Sequence, residues 1–158
     1  GHAIKEWELH HMYGSCILLA RTCKSVIHLT SDGQELQRKA FRFGVHCSLA
    51  WLAQVDLQTF PTCYNSETEP FNLLSAPVLL SFEYQPTVYD EVMGNNIQEQ
   101  KPLDYALIHQ NVLKSQALNR TKQLKKFHIE KALAILNTFP ETEAKNILQG
   151  LLEAIYAL

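Results

Sequence analysis

Residues 36–57, LQRKAFRFGVHCSLAWLAQVDL, constrain the fold more than any other stretch. The spacing is helical, and the first half of the segment is amphipathic. The second half is apolar nearly all round, and a helix of that kind is normally buried inside a large core, walled by other helices. Gly44 sits in the middle of it, where glycine costs about 1 kcal/mol relative to alanine. A close helix–helix approach at that point would account for its presence.

The flanking sequence supplies the walls. Residues 4–29 read as one helix, with Trp7, Leu9, Tyr13, Ile17, Ala20, Val26 and Ile27 at helical spacings. Thr30-Ser31-Asp32-Gly33 stops it, and Ser31 with Gln34 has the form of a capping box that starts the central helix. That helix runs to about Thr59. Residues 61–70 form a loop by composition. Short helices are expected over 72–84, with Pro77 near the first turn, and over 87–93. A loop follows to Pro102. Helices are then expected over 103–114, 116–138 and 141–157, with Pro140 at the first position of the last. Period-two alternation persists nowhere and β-branched residues are sparse, so the fold class is all-α.

Composition narrows the function. The 158 residues are 46% hydrophobic and 19% charged, enough for a packed core. The net charge of −2 leaves no basic excess for nucleic acid. No apolar run is long enough for a transmembrane segment. Gly1-His2 has the form of a tag scar, and no leader is recognisable. Cys16, Cys23, Cys47 and Cys63 form no CxxC pair, and they read as buried free thiols in a reducing compartment.

Several candidate groups carry bland explanations. His10 and His11 are adjacent, so they point to different sides of a helix and cannot chelate one metal. His46, on the apolar helix, reads as a core histidine rather than a ligand or base. Asn119-Arg120-Thr121 is a coincidental glycosylation pattern. Lys122, Lys125 and Lys126 read as the solvated face of an amphipathic helix. No nucleophile elbow and no glycine-rich phosphate loop occurs. Asp56 stands alone on the apolar helix. It is either a polar end that reaches solvent or a neighbouring Lys or Arg, or a group lining a cavity.

The segment FGVHCSLAWLAQVDLQTF at 43–60 resembles the trans-polyprenyl diphosphate synthases, whose corresponding segment reads roughly FGxxLGxAFQxxDDxxDF. Phe43, Gly44, Leu49, Ala50, Asp56 and Phe60 match without a gap, and Trp51 replaces a Phe. In active members the aspartates of this motif bind Mg2+, which holds an allylic diphosphate, and that chemistry needs several carboxylates. Here the three Asp positions are Val55, Asp56 and Thr59, and the Gln position is Leu52. Asp56 is thus the sole remnant of a metal set.

Two further segments are similar to the family and degenerate in the same direction. Gly14 and Ser15 occupy the Lys-Thr positions of the KT(A/G)xL segment. FNLLSAPVLL at 71–80 keeps Pro77 but has Asn72 and Leu73 at a Gly-Lys pair. Cationic contacts to diphosphate are lost at both places. With LLARTC at 18–23, LDYA at 103–106 and FPETEAKNIL at 139–148, the resemblance extends from about residue 3 to the C-terminus. It is to the degenerate second subunits of two-subunit, decaprenyl-type synthases.

That resemblance implies an antiparallel helical bundle, of which residues 1–158 would be the C-terminal half. It implies a non-catalytic, regulatory subunit that is inactive alone and has no catalytic residues of its own. It implies a hetero-oligomer, such as a heterotetramer, with a catalytic subunit that carries the Mg2+. The complex would add isopentenyl diphosphate to an allylic diphosphate for the ubiquinone side chain, in the mitochondrial matrix. The alternative is a helical scaffold or a prenyl- or lipid-binding protein without transferase activity.

Overall fold

The central helix forms as one element, α3 (Gln34–Thr59), in the computed structural model, which describes residues 2–30, 33–65, 70–90 and 103–158. Before it come α1 (His2–His11), a π-helical turn (Met12–Cys16) and α2 (Ile17–Thr30). After it come α4 (Ala76–Tyr84), α5 (Tyr105–Lys114), α6 (Ala117–Leu136) and α7 (Glu143–Ala157). Residues 86–90 are also helical, and no strand occurs among the described residues.

The observed boundaries depart from the sequence expectation at three places. The single helix expected over 4–29 is interrupted by the π turn, which contains Gly14, a poor helix former. The helix expected from residue 72 starts instead at Ala76. Pro77 has no N–H to bond residue 73, and its ring would clash with that carbonyl, so the helix must begin just before it. The last helix starts at Glu143 rather than with Pro140 in its first position. Thr142 takes the N-cap and its hydroxyl accepts a hydrogen bond from the Lys145 N–H at 3.1 Å. Ser31 of the expected capping box, the second half of the helix expected over 87–93, and the loop at 94–102 lie outside the described residues.

The chain divides into two compact units, the first comprising residues 1–7 and 55–122, the second residues 8–54 and 123–158. The first unit has an apolar core of Ala3, Phe60, Val78, Leu80, Ile108 and Val112, drawn from α1, the end of α3, α4 and α5. Asp104 caps α5 by accepting from the Leu107 N–H at 2.9 Å. Beside this core, Phe60, Tyr64, Phe71, Tyr105 and His109 form an aromatic cluster, and His109 Nε2 lies 2.9 Å from the Pro61 carbonyl.

In the second unit α2 and α3 run antiparallel. Gln37 meets His28 near the connecting turn, Gly44 meets Ala20 further along, and Ser48 meets Cys16 beyond that. A Cβ on Gly44 would lie 2.7 Å from the Ala20 Cα, so the expected close approach is present. Phe43, Cys47 and Ala50 of α3 then pack with Ile129, Ala132 and Leu136 of α6 and Leu152 and Ile155 of α7. All four cysteines are free thiols, but only Cys16 and Cys47 are buried, which pushes them up to about 11; Cys23 is half-buried and Cys63, in the loop after α3, is exposed.

The lysine cluster on α6 is not a uniformly solvated face. Lys122 and Lys126 are exposed, but Lys125 is buried. Its ammonium donates to Gln54 Oε1 at 2.9 Å and to the carbonyls of Ile155 and Tyr156 at the end of α7. It satisfies carbonyls that a helix C-terminus leaves without partners, and it sits at the favourable end of the helix dipole.

Candidate functional site

Asp56 is the residue around which the candidate site forms. It lies one turn before the end of α3 and is only 6% exposed. Its Oδ2 accepts the Trp7 indole N–H at 2.9 Å and the Ala76 backbone N–H at 2.8 Å. Ala76 is the first residue of α4, whose own N-cap, Ser75, makes no side-chain capping bond. Asp56 therefore caps α4 from another helix, with its negative charge at the positive end of the helix dipole. The bulky Trp7, 1% exposed, finds in the same oxygen the acceptor that a buried indole requires.

A pocket of about 300 Å³ opens beside this carboxylate. Asp56, Thr59 and Phe60 line it from the end of α3, and Pro70, Phe71, Asn72 and Ser75 from the segment leading into α4. The Thr59 hydroxyl donates to the Val55 carbonyl at 2.9 Å, and Asn72 Oδ1 accepts from the Leu74 N–H at 2.9 Å. Among the described residues no lysine, arginine or histidine belongs to the lining.

Three of the positions singled out in the sequence thus come together here: Asp56, Thr59 and Asn72. Val55 and Leu73 belong to the same unit and are half-buried, with Leu73 packed against the apolar cluster. Gly14 and Ser15 lie exposed in the π turn, and Leu52 is half-buried on α3, all three in the second unit. Asp56 is not a solvated helix end, and among the described residues it pairs with no basic side chain. Sequence reading missed Trp7 and Ala76 as its partners. The signal was present for Trp7 alone, since a buried indole N–H calls for an acceptor.

The residues present do not suit Mg2+. A hard cation wants several oxygen ligands, and a protein that binds it supplies more than one carboxylate or borrows phosphates. Among the described residues no group of three or more His, Cys, Asp or Glu side chains is placed to hold a metal. The one carboxylate among the described lining residues already has an oxygen committed to two N–H donors.

A second polar group lies in the second unit. His46 and His128 face each other with their Nδ1 atoms 3.0 Å apart. His128 Nε2 lies 3.3 Å from Glu8 Oε1. Burial, with His46 nearby, pushes His128 down to about 4. His46 is lowered by burial and by Arg42 and Lys131, and Glu8 is raised by burial. His46 is thus a packed histidine with a specific partner.

Comparison with known proteins places this geometry. The chain superposes on the geranylgeranyl pyrophosphate synthase of Lactobacillus brevis with a TM-score of 0.73 at 18% identity, covering 99% of this chain and 56% of that one. The fold is therefore the all-α fold of the isoprenyl diphosphate synthases. In sequence, the chain is similar to the mouse protein "All trans-polyprenyl-diphosphate synthase PDSS2", 28% identical over 152 residues. That match covers 96% of this chain and 38% of the mouse protein, so the chain spans well under half the length of this relative. It is also 26% identical over 141 residues to the Arabidopsis thaliana "Solanesyl diphosphate synthase 3, chloroplastic/mitochondrial", covering 85% of this chain and 33% of that protein. No family model matches the chain. Sequence and fold together relate it to the trans-prenyltransferases, through PDSS2 in particular.

Proposed function

We propose that this chain forms part of a non-catalytic subunit of a heteromeric trans-polyprenyl diphosphate synthase. The observation that carries the reading is the state of Asp56. At the place where an active relative gathers carboxylates for Mg2+, this chain has one, and that one caps α4 and anchors Trp7. Removing the metal and cationic contacts to a departing diphosphate forfeits several kcal/mol of transition-state stabilisation. Gly14 has no side chain and Leu73 is packed into an apolar cluster, so neither position offers a cation. The helical scaffold survives while the catalytic chemistry does not.

The partner in this reading is a catalytic subunit that carries both Asp-rich motifs and the Mg2+, and prenyl diphosphates are bound by the complex. Location in mitochondria is supported by the Arabidopsis relative, whose name places it in chloroplasts or mitochondria, and the ubiquinone side chain as the end use rests on the sequence resemblance. Co-expression tests the proposal. The chain is tagged, co-expressed with a catalytic polyprenyl synthase subunit, purified and assayed for elongation with isopentenyl diphosphate. The two are expected to elute together, with elongation by the complex and none by the chain alone. Elongation by the chain alone overturns the proposal. A chain that elutes without the subunit but with bound lipid favours the scaffold reading instead.

A further inference from the structure

We propose that the pocket beside Asp56 is a binding site for an alkyl ammonium or alkyl guanidinium group. The proposal is independent of any prenyl chemistry. It begins from a buried carboxylate with no cation. Both hydrogen bonds to Asp56 fall on Oδ2, and Oδ1 makes none among the described residues. The described ion pairs of lysine and arginine all lie elsewhere. Asp56 is 6% exposed and lines the pocket, so a cation entering there would meet a carboxylate largely shielded from water.

The rest of the lining has the matching polarity. The Thr59 hydroxyl has spent its hydrogen on the Val55 carbonyl, so its oxygen is left as an acceptor. Asn72 Oδ1 already accepts one N–H and has a second lone pair. Asp56 Oδ1, Thr59 Oγ1 and Asn72 Oδ1 thus make a pocket rich in acceptors. An ammonium, with three donors and no acceptor, complements such a set, whereas a phosphate would find no cation among the described lining residues. The Phe60 and Phe71 rings form apolar walls, and aromatic faces attract cations. A volume of about 300 Å³ suits a short alkyl stem behind the charged head.

The Trp7 indole N–H reports on the site directly, because it donates to the carboxylate that the cation would approach. The experiment follows its NMR resonance in the whole chain during titration with n-butylammonium, with n-butanol and inorganic pyrophosphate as controls. The expected result is a saturable shift with n-butylammonium, half-complete at ~1–10 mM, and no shift with either control. Thr59 is exposed and lies one helical turn from Asp56, so Thr59→Lys supplies an ammonium from within. It is expected to move the Trp7 resonance the same way and to abolish the response to n-butylammonium. Thr59→Met, with a similar stem and no charge, should do neither. A blocked lysine amide titrated alongside separates two origins. Equal affinity indicates a free small amine, and a tenfold gain indicates a protein side chain. The proposal is overturned if n-butanol matches n-butylammonium, if pyrophosphate alone produces the saturable shift, or if no compound shifts the resonance.

Discussion

Gly44 shows how one residue sets a helix–helix distance. The Cβ of an alanine there would meet Ala20 Cα at 2.7 Å, Ala20 N at 3.0 Å and the Leu19 carbonyl at 3.1 Å, all of them backbone atoms that cannot rotate away. Helix propensity favours Gly44→Ala by about 1 kcal/mol, but overpacking costs 1–3 kcal/mol or more. The substitution is expected to lower the urea midpoint. Asp56→Ala would strand two buried N–H groups, each unsatisfied donor costing about 1–3 kcal/mol, so a loss of roughly 2–5 kcal/mol is expected in the same measurement. Asp56→Asn keeps an acceptor and should cost less. Asn111 is the reverse case. Its buried amide has no partner among the described residues, so Asn111→Leu should be neutral or stabilising, by up to about 1 kcal/mol. Of these residues Gly44 was legible in the sequence, because glycine inside a helix needs a packing reason. The partners of Asp56 were not, since they lie 49 and 20 residues away along the chain.

The helices themselves were legible from apolar periodicity, but the starts expected at residues 72 and 141 fall at Ala76 and Glu143. Pro77 and Thr142 fix the starts of α4 and α7 by local rules, but the capping of α4 by Asp56 and of α7 by Lys125 is tertiary and leaves no sequence signature. Lys125→Met should destabilise α7 by about 1–3 kcal/mol, read as faster amide exchange in its last turn. The contact of α6 with α1 and α3 through His128 brings a pH dependence. In the unfolded chain this imidazole titrates near its ordinary 6.5, and in the fold it stays neutral down to about 4. Between those values the unfolded chain binds a proton that the folded chain refuses, so stability is full above pH 6.5 and falls as the pH drops toward 4. The loss is about 3 kcal/mol from His128. The lowered His46 adds to it. Glu8, raised by burial, opposes it, because the folded chain holds that proton more tightly than the unfolded one does. Urea midpoints between pH 7 and pH 4.5 should decline, and His128→Gln should flatten the decline.

For the whole molecule, the sequence resemblance and the superposition agree on the scaffold, and the degenerate positions decide what the scaffold can do. Fold class was readable because a helix apolar on all sides has few places to go except the centre of a helical assembly. The site was only partly readable. Three of its positions converge on one pocket, while what Asp56 binds depends on groups far away in sequence. Losses at several separate places are not repaired one at a time, so Val55→Asp alone should yield no prenyltransfer in a radiolabelled isopentenyl diphosphate assay. The central claim, that this chain has lost the chemistry that grips a diphosphate, is tested most directly by calorimetric titration of the chain alone with farnesyl diphosphate, with and without Mg2+. The account predicts no saturable Mg2+-dependent heat. Stoichiometric binding that appears only with Mg2+ would contradict it.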